Sequence, residues 1–176
     1  GFHDLALTSS GAVWSWGQGG LGALGHGDHQ GQWQPTKIAA FAGQSVVAVS
    51  AGHEHSLALT GNGAVWSWGE GGEGELGHGD PQIQLLPKKV EAFAGQRVVA
   101  VSAALVHSLA LTADGSVWSW GYGLYGRLGH GDGQAQCQPT KVEALAGQRA
   151  IAVWAGDGHS LAITADGSVW SWGFGE

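Results

Sequence analysis

His3, His55, His107 and His159 stand 52 residues apart, and so do Trp14, Trp66, Trp118 and Trp170. Of the 50 positions from His55 to Ala104, 33 carry the same residue 52 places later, including both Trp residues, the run GHGD, the Pro and AGQ. Identity at a fixed period is the mark of one supersecondary unit copied in tandem, each copy burying its apolar surface against the next. The chain must therefore fold as a row of like units, which narrows the choice to solenoids, propellers and similar arrays.

Within a unit, VVAVSA (Val46 to Ala51), HSLALT (His55 to Thr60) and AVWSWG (Ala64 to Gly69) are β-rich runs of strand length. Gly61-Asn62-Gly63 separates the last two, and Ala113-Asp114-Gly115 and Ala165-Asp166-Gly167 occupy the matching places; Asn-Gly or Asp-Gly there predicts a tight hairpin. A fourth strand, PTKI or PKKV, starts at a proline, which strands accept at their first residue or on a sheet edge. Four antiparallel strands per repeat predict a propeller blade. Cutting at each proline gives blades over 35–68, 87–120 and 139–172 and an orphan hairpin at 3–16, all in one partial propeller over 1–176. Alternation puts Trp66 and Trp68 on one side of their strand, and Leu57 and Leu59 opposite Ser56, Ala58 and Thr60 on theirs. That pattern predicts sheets with one bulky and one small face, stacked face to face.

The unit HSLALTADGSVWSWGYGLYGRLGHGD, continuing through QPTKVEALAGQ, resembles the repeat of the regulator of chromosome condensation family, and the likeness covers the whole chain. Kelch repeats have a similar period but are built around a glycine doublet, where the third unit here has Gly123-Leu124. The resemblance implies an all-β fold, a β-propeller of four-stranded antiparallel blades whose ring usually has seven. The 176 residues amount to three periods of 52 plus 20, so about three and a half blades, a partial ring, are expected. The chain thus reads as part of a larger scaffold, in keeping with its lack of Met, or as an arc that closes by pairing with a second arc.

Charge and composition exclude several functions. A net charge of -7 leaves no basic surplus for a phosphate backbone, so no direct nucleic-acid binding is expected. No apolar run approaches the roughly 20 residues needed to span a bilayer, and no membrane association is expected. Cys137 is the single cysteine, which rules out an internal disulfide and suits an intracellular, reducing compartment, cytoplasm or nucleus.

Three chemical motifs also reduce to structure. Gly69, Gly71 and Gly74 match G-x-G-x-x-G, but LGHGD and a proline follow where a dinucleotide site needs a helix, so no cofactor is expected. His26, His78 and His130, like the strand-opening histidines, recur on separate blades too far apart to share one ion; the expected role is a hydrogen bond to a neighbouring loop, with no metal. Ser56, Ser108 and Ser160 each follow a histidine but lie on the opposite face from it, so no catalytic residues and no enzyme activity are expected. A photoreceptor branch of the family carries Trp-Arg just before the strand-opening His; the pairs here are His53-Glu54, Leu105-Val106 and Asp157-Gly158, and photoreception is not expected.

The resemblance leaves two functions. One is a protein–protein interaction platform, as such propellers form in HECT-type ubiquitin ligases and other scaffolds. The alternative is guanine-nucleotide exchange on a Ran-like small GTPase. The near-uniform period leaves no room for the inserted wedge that the exchange reading requires, which favours the platform. Positions where repeats differ locate the partner site, because shared positions are explained by building the blade. They are His53, Glu54, Leu105 and Val106 before the strand-opening His, and Tyr122, Tyr125 and Arg127 after WG; Tyr and Arg are enriched at binding hot spots. The expected partner is another protein, and the arc by itself is expected to self-associate through its two unlike ends.

Overall fold

The computed structural model describes residues 2–175. Four antiparallel sheets follow one another along the chain. The first holds β1 (His3–Leu7), β2 (Val13–Gly17) and β3 (Gln32–Lys37). The second holds β4 (Val46–Ala51), β5 (His55–Thr60), β6 (Val65–Gly69) and β7 (Gln84–Lys89), and the third holds β8 (Val98–Ala103), β9 (His107–Thr112), β10 (Val117–Gly121) and β11 (Gln136–Lys141). The last holds β12 (Ala150–Ala155), β13 (His159–Thr164) and β14 (Val169–Gly173). Within each sheet strands pair in chain order, as in a propeller blade, and β4, β8 and β12 touch in series, so they form the inner edges. The arc is an open, partial ring.

The blades are offset from those obtained by cutting at the prolines. The proline strand β7 pairs with the strand before it, Ser67 opposite Lys88 and Gly69 opposite Gln84, so the hydrogen-bonded sheets span 46–89 and 98–141 rather than 35–68 and 87–120. The last cut, 139–172, likewise joins Pro139 on β11 to strands of the following sheet, and the hairpin at 3–16 is no orphan, because β3 extends it to three strands. The physical reason lies in the connections. The Gly-rich loop after WG folds back beside its own strand, whereas the short 3-10 turns at Ala39–Phe41, Glu91–Phe93 and Glu143–Leu145 carry the chain across to the next sheet. Pro87 is not the first residue of its strand; it falls in the register shift between Ser67 and Gly69, where its missing N–H costs no ladder bond.

Packing between blades also differs from a bulky face meeting a small one. The register sets Ser56 opposite Trp68 and Ala58 opposite Trp66, while Leu57 faces Ser67 and Leu59 faces Val65. Each face therefore carries large and small side chains on adjacent strands, and blades interlock. Between the second and third blades Leu57, Leu59 and Val65 meet Ala110 and Trp120, closed by Val90, Phe93 and Val98. Phe93 sets its edge against Trp118 and Trp120, with ring centroids 5.8 and 5.7 Å apart. The two Trp residues of VWSWG are unequal: Trp68 and Trp120 are fully buried, whereas Trp66 and Trp118 are only half-buried.

Candidate protein-binding face

Every blade-to-blade seam repeats one hydrogen-bond relay. His3, His55 and His107 place Nε2 2.8, 2.9 and 2.9 Å from Oγ of Ser56, Ser108 and Ser160 on the following blade. Each of those serines donates its only hydroxyl proton to a backbone carbonyl, of Ala23, Glu75 and Arg127 respectively. The imidazole must then be the donor, neutral and protonated on Nε2. Burial pushes the pKa of His3 and His107 down to about 4 and that of His55 to about 3, which keeps the rings neutral at pH 7. His26, His78 and His130 repeat the device inside each blade, on Ser15, Ser67 and Ser119, whose hydroxyls donate to Leu24, Leu76 and Leu128. The histidines are thus bonded to serines of the blades, not to a neighbouring loop, and they are engaged in architecture.

The variable residues meet at one end of the arc, where the His-led strands begin. There the turn before each His and the loop after each WG lie side by side: Glu70 N–H donates to Glu54 O, and Tyr122 N–H donates to Val106 O, both at 2.9 Å. Gly69 makes this closeness possible, since its φ of +104° suits glycine and a β-carbon would collide with the Glu54 carbonyl. Neighbouring turns are also tied together, His53 N–H donating to Ala104 O at 3.1 Å.

The seven residues expected at a partner site lie at this one end, but they differ in exposure. Leu105 and Tyr125 are exposed, and His53, Glu54, Val106 and Tyr122 are half-buried. His53 and Glu54 stand one blade away from the other five. Arg127 is not a free hot spot: it is 6% exposed, with Nε donating to Leu124 O, Nη1 donating to Asp157 O, and its guanidinium 5.1 Å from the centre of the Tyr122 ring. It braces two loops. Tyr125 has a φ of 63°, the one positive value outside glycine among the described residues, an arrangement unfavourable for a bulky side chain. It stands 58% exposed against Phe174, with ring centroids 4.8 Å apart. Phe174, Leu124 and Phe2 belong to the same exposed face and are not singled out by sequence. Phe174 was within reach, because it lies 52 residues after Tyr122.

Charge is divided between the two ends. Six of the seven bases, Lys37, Lys88, Lys89, Arg97, Lys141 and Arg149, lie at the hairpin-turn end, on the last residues of β3, β7 and β11 and just ahead of β8 and β12. At the variable end the only Lys or Arg among the described residues is the buried Arg127, against Glu54, Glu70, Glu73, Glu75 and Asp157. Glu75 is 1% exposed, and burial lifts its carboxyl pKa to about 7; one oxygen accepts from Glu73 N–H at 2.9 Å.

A family model described as the RCC1-like domain matches residues 1–176. Over 178 aligned residues the chain is 43% identical to the human E3 ubiquitin-protein ligase HERC2, which takes in all of this chain but 4% of that protein. It is 40% identical to the ultraviolet-B receptor UVR8 of Arabidopsis thaliana, covering 98% of this chain and 40% of the receptor. Among solved structures, Prp20p from Saccharomyces cerevisiae, described with its binding properties to Gsp1p and histones, aligns with a TM-score of 0.84 and 32% identity over 99% of this chain and 43% of its own. The chain therefore spans less than half the length of each.

Proposed function

The chain belongs to the RCC1-like domain family, and from that membership we propose that it is a non-catalytic platform that binds another protein through the end of the arc carrying Leu105, Leu124, Tyr125 and Phe174. The observation that carries this reading is the division of labour between shared and variable residues. The shared His and Ser side chains are spent on seams, while the variable loops project large apolar groups, one of them on a strained backbone, from rigid blades. Scattered exposed apolar residues are ordinary, but a group of them at the one end where the repeats diverge fits an interface. A reducing, intracellular setting, cytoplasm or nucleus, suits the free Cys137.

The test compares capture of a partner from cell extract by the chain and by a Leu105→Ala, Tyr125→Ala, Phe174→Ala variant. Loss of a captured protein with an unchanged melting curve supports the platform, and undiminished capture refutes it. The variant leaves Arg127 and Tyr122 in place because they brace the loops. A second reading, exchange activity on a Ran-like GTPase, draws on the likeness to Prp20p, whose described properties include binding to Gsp1p. Faster release of labelled GDP from such a GTPase on addition of the chain would favour it over the platform.

A further inference from the structure

We infer that the partner segment seated on this face is basic: a stretch of polypeptide with Lys or Arg residues beside an apolar one. The inference rests on the platform reading and adds the chemistry of the partner. It starts from the exposed apolar side chains of this face, Leu105, Leu124, Tyr125 and Phe174, which are 37–58% exposed and of which Tyr125 and Phe174 touch. What covers such a group is decided by its surroundings.

Those surroundings carry one sign of charge. Glu54, Glu70, Glu73 and Asp157 flank the apolar group on neighbouring turns and loops, all at least partly exposed. No exposed Lys or Arg lies at this end among the described residues, because Arg127 is turned inward to the Leu124 and Asp157 carbonyls. The bases are gathered at the far end, where Glu91, Asp114, Glu143 and Asp166 partly offset them. An acidic partner would meet uncompensated like charge here and a neutral one would strip water from carboxylates without replacement, whereas a Lys or Arg offers both a counter-charge and an apolar stem. The exposed Tyr125 and Phe174 rings also suit cations, which favour aromatic faces. Steering by the whole acidic end would speed encounter and fade with salt.

The test uses the 176-residue chain and a short fluorescein-labelled peptide of Lys, Arg and Leu, followed by polarisation, with an Asp, Glu and Leu peptide as the counterpart. Glu54→Lys with Glu73→Lys should weaken binding of the basic peptide about tenfold or more, as should Leu105→Ala with Tyr125→Ala. Glu91→Lys with Glu143→Lys makes the same change in net charge at the opposite end and should leave affinity within about twofold. Equal weakening by the two charge-reversed pairs, or equal binding of the acidic peptide, would overturn the inference. In either case the capture experiment still decides the platform separately: a cellular partner lost with the triple alanine variant leaves the platform standing without its basic specificity, and a partner retained refutes both.

Discussion

Nε2 of His55 and Oγ of Ser108 lie 2.9 Å apart across a seam between blades, though 53 residues separate them in the chain, and the serine hands its own proton to the Glu75 carbonyl. The relay binds strand to strand and strand to loop in one line. Removing Ser108 leaves the buried Nε2–H of His55 unpaired, and removing His55 takes away the hydroxyl's incoming donor and leaves a void in the seam, each at a cost of about 1–3 kcal/mol. Urea titration should show that range for His55→Ala and for Ser108→Ala, with the double variant costing less than the two added together. Strict additivity would mean that the pair is not coupled.

Acid should open the seams. The buried His3, His55 and His107 have pKa values near 4, 3 and 4, below the usual 6.5, because burial disfavours the imidazolium. The unfolded chain binds protons first, so the stability these rings contribute is complete above pH 6.5 and falls as pH drops from there toward 3–4. Each ring would account for on the order of 2–3 kcal/mol by pH 4. Thermal melts from pH 7 to pH 4 should show a steep loss that His55→Gln makes shallower; a slope unchanged in that variant would assign acid sensitivity elsewhere.

Glu75 works in the opposite direction. Its pKa is raised from 4.5 to about 7 by burial, so folding becomes costlier as pH climbs from 4.5 to 7, and the cost levels off above that. Glu75→Gln keeps the shape and removes the charge. It should raise the melting temperature at pH 8, by the equivalent of up to about 3 kcal/mol, and change it little at pH 5. A variant that is no more stable than the parent at pH 8 would show that the carboxylate is well solvated.

The two tryptophans of each VWSWG run should differ on truncation. Trp120 is fully buried and donates to Glu75 O at 2.7 Å, whereas Trp118 is half-buried. Trp120→Ala should cost about 3–5 kcal/mol, and Trp118→Ala clearly less, in guanidinium titrations. Equal losses would contradict the packing described for the seam between the second and third blades.

Two sheet faces at the ends of the arc have no neighbouring blade in this chain. Val169 stands 69% exposed on the last blade, where its counterparts Val65 and Val117 are buried, and Trp33 is 100% exposed on the first, so the 176-residue chain in solution should associate end to end. Light scattering should report a mass that grows with concentration. A monomer at every concentration would show that the end faces are tolerated in water.

The repeat, the strand-rich unit, the Asn-Gly and Asp-Gly hairpins and the gathering of the variable positions in turns and loops at one end of the strands were all legible in the sequence. These follow from period-two alternation, turn chemistry and 52-residue identity, all of which act over short stretches of chain. The sequence also set His107 and Ser108 on opposite faces of one strand, which is correct and is why neither bonds to the other. That each finds its partner across a different seam, His107 on Ser160 and Ser108 on His55, follows from the stacking of the blades. The tertiary structure alone assigned the proline strand to the blade before it, because that choice depends on whether a Gly-rich loop turns back or crosses over, and both routes satisfy local preferences. It alone turned Arg127 inward and separated six bases from the acidic end. Charges dispersed along a chain acquire a common direction only when every blade is stacked in the same sense, with each loop of one kind brought to the same side.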